Sequence, residues 1–167
     1  MGIKDLLAQN RSAIVQKWFD RIVKTYPANS QKFIKEQKDP FANPVGSTIL
    51  RGIEGLYAEL LGGMKTGKVT NYLDPIMRIQ AVQVFSPSEA LSFIPFLKGI
   101  IKEELKGEIQ GTRVVEELSE FETRIDRLTL LAFDHYMNCR EKIYEIRMQE
   151  LRNRSVGVME MKREKET

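Results

Sequence analysis

One cysteine and one histidine occur in 167 residues, and these two scarcities exclude whole classes of chemistry. With Cys139 alone, the chain can close no internal disulfide and build no cysteine-rich zinc site, which fits a reducing compartment. With His135 alone, a Ser-His-Asp triad would have to use that imidazole, and a metal site that needs two imidazoles cannot be assembled. No apolar run approaches the roughly 20 residues of a membrane-spanning helix, and the first residues lack the basic, apolar, small order of a signal peptide. The expectation is a cytoplasmic protein with no membrane span. A surplus of one charge is lacking too: 26 basic and 23 acidic residues leave +3. The signs are interleaved along the chain, so no nucleic-acid partner is expected.

The composition that remains, 42% hydrophobic and 29% charged, is that of a folded domain, and the length suits one. Apolar positions recur at helical spacing almost throughout, with no alternating pattern that would mark a strand. Leu7, Ile14, Trp18, Ile22 and Tyr26 predict a helix over 3–26 that ends at Pro27. Phe33 and Ile34 belong to a short helix near 30–37. Two prolines and a glycine between Asp39 and Gly46 predict a structured loop. Ser47 is the expected cap of a helix running to Leu61, stopped by Gly62 and Gly63. A fourth helix opens at Thr70 or Asn71, with Pro75 in its first turn. Ser86, Pro87 and Glu89 form a capping box for a fifth helix, which Pro95 should kink.

From 112 to 152 there is neither proline nor glycine. At ~1.5 Å per residue that segment makes a rod of roughly 60 Å, longer than a compact bundle. The expected architecture is therefore all-α: a single bundle of about six helices over 1–152 with a long C-terminal helix, then a charged, frayed tail over 153–167.

Three stretches resemble one known family. They are the loop from Lys38 to Gly46, the segment from Phe85 to Ala90, and the run from Ile125 to Glu145 with His135 and Cys139. The chain is similar over most of its length to the RsbRD N-terminal domain family, bacterial sensory input modules of RsbT co-antagonists in stressosome-type stress signalling. The resemblance implies a globin-like helical dimer without haem, placed ahead of a signalling domain. It further implies a small-molecule ligand or a kinase or STAS-protein partner; an enzyme is a third reading, held down by the lack of a recognisable nucleophile-base or metal constellation. The fifteen residues after 152 leave no room for a STAS output domain, so a separate partner would have to carry the signal onward.

Several side chains could serve such a role, and each has a plainer use. His135 and Cys139, four residues apart, share one helix face and could meet a ligand. Cys139 also continues the apolar row Leu118, Ile125, Ala132, Cys139, Ile146, with His135 on its flank beside Phe121 and Leu128. A partly buried histidine needing no metal or cofactor is the simpler use. The loop residues Asp39, Phe41 and Asn43 could line a ligand pocket. In a rigid turn, Asp39 and Asn43 would instead bond the local backbone while Phe41 and Val45 pack on the next helix. The acidic residues Glu103, Glu104, Glu116, Glu117 and Glu120 fit solvated helix faces, and the stretch 62–68 lacks the spacing of a phosphate loop. The apolar row and the length of the last helix predict a homodimer through Ile125, Leu128, Ile143, Ile146 and Leu151. An accessory protein docking on a metabolic or redox complex is the alternative function.

Overall fold

A computed structural model describes residues 1–166 of the chain. The described residues form eight helices and no strand: α1 Ile3–Gln9, α2 Arg11–Val23, α3 Ala28–Glu36, α4 Pro44–Leu61, α5 Thr66–Val82, α6 Pro87–Leu91, α7 Phe96–Glu104 and α8 Thr112–Glu166.

Eight helices replace the expected six because two segments break. The first break is at Asn10, whose side-chain and backbone N–H groups both donate to the Leu6 carbonyl at 3.0 Å, closing α1 before α2 begins. The second is at 92–95, where Pro95, which has no amide to give, sits at the N-cap of α7. The capping box is as expected: the Ser86 amide donates to Glu89 at 2.7 Å, and the Glu89 amide donates to the Ser86 hydroxyl at 3.3 Å. Helix α4 starts three residues before Ser47, on Pro44, with Asn43 as its cap. Helix α5 starts at Thr66, so Pro75 lies inside it and not in the first turn. Helix α8 continues through 153–166, where a frayed tail was expected. Gly157 alone costs it only about 1 kcal/mol, and no proline interrupts it. Its 55 residues span about 80 Å. Thr167 lies outside the described residues.

Helices α4 and α5 form an antiparallel hairpin at close range. A Cβ on Gly52 would lie 2.5 Å from the Ile76 side chain and 3.0 Å from the Tyr72 carbonyl, and one on Gly55 would strike the Tyr72 ring. Glycine at both positions lets the two backbones approach. Helix α2 packs across α4 and α7, with Trp18 fully buried; its indole N–H donates to the Phe93 carbonyl at 2.6 Å. Tyr57 donates to the Leu7 carbonyl, and Tyr26 to Gln80, which in turn donates to the Ala90 carbonyl. These buried polar groups are thus paired, which a dry core requires.

Helix α8 lies chiefly along α5 and buries Leu118, Phe121, Ile125, Leu128, Ala132 and Tyr136. Ile125 and Leu128 are 0% exposed. Both are consumed by the chain's own core, so the expectation that they line a dimer contact is corrected. The period of a helix packed on its own bundle is the same as that of a helix packed on a second copy, which is why the row alone did not separate the two.

Candidate functional site

Two arginines fix α8 along the α4–α5 hairpin. Arg124 donates to the Leu60 carbonyl at 2.9 Å and the Gly62 carbonyl at 3.3 Å, at the C-terminal end of α4. Sixteen residues further, Arg140 donates to the Ala81 carbonyl at 2.8 Å, at the C-terminal end of α5. That interval is ~24 Å of helix, close to the length of the hairpin itself. Each guanidinium meets carbonyls that have no helical donor and carry the negative end of the helix dipole. Displacing α8 along its axis by one turn would break both contacts together. Neither arginine was singled out from the sequence, because nothing local distinguishes them from the other basic residues of α8.

The loop before α4 is a knot. Asn43 is 2% exposed. Its amide group donates to the Ile34 carbonyl at 2.8 Å and the Gln37 carbonyl at 2.9 Å, and its side-chain oxygen accepts from the Gly46 amide at 2.9 Å. One side chain therefore ends α3 and begins α4. A Cβ on Gly46 would lie 2.3 Å from the Asn43 amide nitrogen and 2.5 Å from the Ile34 carbonyl oxygen, so only glycine fits. Asp39 accepts from the Phe41 amide at 3.1 Å, a local turn contact. Phe41 does not pack on the next helix as a rigid turn would have it: it is 96% exposed.

His135 and Cys139 face α5, at the half-buried seam with Asp74. His135 Nδ1 lies 3.8 Å from an Asp74 carboxylate oxygen, and Asp74 also pairs with Arg78 at 2.9 Å. Burial, then the Asp74 carboxylate, push the Cys139 thiol above its ordinary range, against smaller opposing pulls from Arg78 and Lys142. A thiol held protonated is a poor nucleophile and a poor metal ligand. Asp74 was missed from the sequence, since only the tertiary fold brings it to His135.

At the N-terminal end of α8 a cleft of about 330 Å³ opens between α1 and α8, lined by Lys4, Asp5, Arg113, Glu117, Glu120 and Arg124 among others. Its lining mixes basic and acidic side chains. Glu117 is not a free surface carboxylate: it accepts from the Ile3 amide at 2.8 Å and from Arg113 at 2.8 Å. Those bonds, the Ile3 amide first, hold its carboxyl below the ordinary range. Among the described residues, no group of three or more His, Cys, Asp or Glu could hold a metal ion, and no helix is long and apolar enough to cross a membrane.

Beyond Ile143, which packs on the edge of the core, α8 leaves the bundle. Tyr144, Ile146, Met148, Leu151, Val156, Val158, Met159 and Met161 are all more than half exposed. Some 23 residues of helix, or roughly 35 Å, project beyond the bundle.

An uncharacterised protein of Archaeoglobus fulgidus is 26% identical over 142 residues, which cover 84% of each chain. No solved structure matches the chain significantly. Residues 12–151 match the family model of the RsbT co-antagonist protein rsbRD N-terminal domain. That span takes in the Asn43 knot, both arginine contacts and the His135 seam, and the chain belongs to the RsbT co-antagonist protein rsbRD N-terminal domain family.

Proposed function

We propose that this chain is a non-catalytic, globin-like input module of stressosome-type signalling, which changes the position of α8 in response to a bound small molecule or protein. The carrying observation is α8 itself: one helix belongs to the core, is registered at both ends of a hairpin by Arg124 and Arg140, and then projects with its apolar side chains exposed. A helix so built transmits a change at one end to a surface far from it. Membership of the RsbT co-antagonist family supports a regulatory output, and the partner in this reading is a kinase or a STAS protein.

The mechanism is a population shift between two packings of α8. It requires an effector that prefers one of them, because equal affinity for both shifts nothing. The C-terminal half of α8, from Ile143 at the edge of the core to Ile146 and Leu151 on the projecting part, serves homodimer formation. Polar side chains at the loop and at the seam, Asp39 and His135 with Cys139, are the groups nearest to surfaces an effector could reach; Asn43 has its polar atoms already engaged.

Co-purification from the native host tests the assignment. Recovery of a kinase or STAS-domain protein with the full chain is the expected result. Recovery only of a metabolic or redox complex would replace this function with that of an accessory docking protein.

A further inference from the structure

The cleft between α1 and α8 is lined by six charged side chains, and four of them are occupied within the protein. Asp5 accepts from the Gly2 amide at 3.0 Å, Glu117 accepts from the Ile3 amide and pairs with Arg113, and Arg124 holds the end of α4. Two remain. Lys4 on the α1 wall and Glu120 on the α8 wall have no hydrogen-bond or ion-pair partner among the described residues. Opposite in sign and lining one cleft from different helices, they do not meet.

A lone lysine or glutamate on a surface is ordinary, since water serves both. What sets this pair apart is the space they share. About 330 Å³ of cleft opens there, and its lining includes the apolar side chains of Ile3, Leu61 and Phe121. A ligand that fits presents an anion to Lys4, a cation to Glu120 and an apolar group to that lining. A simple anion is repelled by Glu120 and a simple amine by Lys4. A zwitterion satisfies both.

We propose that this cleft binds a small zwitterion, an α-amino acid with an apolar side chain, its carboxylate accepting from Lys4 and its ammonium donating to Glu120. The proposal rests on the effector-driven reading of function above and gives the effector a site other than the loop or the His135 seam. Arg124 lines the same cleft and holds α8 to the end of α4, so an occupant sits against one of the two contacts that register the helix. Ionic contacts at exposed groups are individually weak, and a dissociation constant on the order of 1 mM is expected.

Titrations of the full chain followed by amide NMR shifts test the site with three probes: L-leucine, 4-methylpentanoate, which lacks its amine, and 3-methylbutylamine, which lacks its carboxylate. L-leucine should bind about three- to fivefold more tightly than either fragment. Glu120→Gln should remove that advantage over 4-methylpentanoate and leave the affinity for 4-methylpentanoate unchanged, whereas Lys4→Gln should weaken both. Both side chains are exposed, so the variants keep the fold. No shifts at the cleft with L-leucine up to ~20 mM, or an affinity that neither substitution changes, would overturn the proposal. Binding that depends on Lys4 and Glu120 but leaves hydrogen exchange along α8 and at Gly62 unaltered would uphold the site and contradict α8 as the carrier of its signal.

Discussion

Replacing Asn43 separates two uses of one side chain. As a helix cap alone, Asn43 contributes the acceptor for the Gly46 amide, and Asn43→Asp should be nearly neutral because aspartate caps as well as asparagine. The structure gives the amide nitrogen two further tasks, donating to the carbonyls of Ile34 and Gln37 at 2.8 and 2.9 Å. Asn43→Asp puts a carboxylate oxygen against those two carbonyls and leaves them without a donor. Asn43→Ala should cost about 3 kcal/mol, from about 1 for the cap and about 1–3 for buried groups left unpaired. Asn43→Asp should cost as much or more, despite keeping the cap. With a urea slope of about 2 kcal/mol per molar, a loss of 3 kcal/mol moves the unfolding midpoint by about 1.5 M. Urea titrations followed by circular dichroism at 222 nm measure it. An Asn43→Asp protein within about 0.5 kcal/mol of wild type would refute the knot and leave only a cap.

Gly52→Ala should destabilise by about 1–3 kcal/mol through overpacking against Ile76 and the Tyr72 carbonyl, although alanine is the better helix former. Gly67→Ala, which meets nothing within 4 Å, should be neutral or stabilising in the same thermal melts. Arg140→Gln should cost about 1 kcal/mol for a half-exposed charged donor and speed hydrogen exchange at the C-terminal end of α5; unchanged exchange there would remove Arg140 from the register. Glu117 has a carboxyl held below the ordinary 4.5, so its contribution to stability is complete above that value and is lost as the pH falls through the lower folded value. The melting-temperature gap between wild type and Glu117→Gln should accordingly be open at pH 7 and close on acidification below 4.5. A gap that widens in acid would contradict the assignment.

Legibility in the sequence followed the range of the interaction. The Ser86 capping box was legible because its partners are three residues apart. The break at Asn10 was not, because a residue that bonds back to its own helix carries no proline or glycine signal. Pro75 misled the start of α5: a proline is most comfortable in a first turn, yet packing on α4 and α8 keeps the helix intact around it. Ser47 is a good cap by type, but the buried contacts of Asn43 outweigh it. The prolines and glycine of the loop point to a rigid turn and Asn43 bonds the local backbone as its residue type predicts, whereas the hydrophobicity of Phe41 predicts an inward contact that its 96% exposure rules out. The roles of Arg124, Arg140 and Asp74 depend on residues some 60 positions away, and no local pattern encodes them.

The central claim, that α8 carries the signal, is tested most directly by hydrogen exchange. The full chain would be compared alone and in the complex purified from its host with the kinase or STAS-domain protein. The expected result is altered protection along 124–150 of α8 and at Gly62 and Ala81, where the two arginines register it. Changes confined to other helices, with α8 and those two sites unaltered, would contradict the claim.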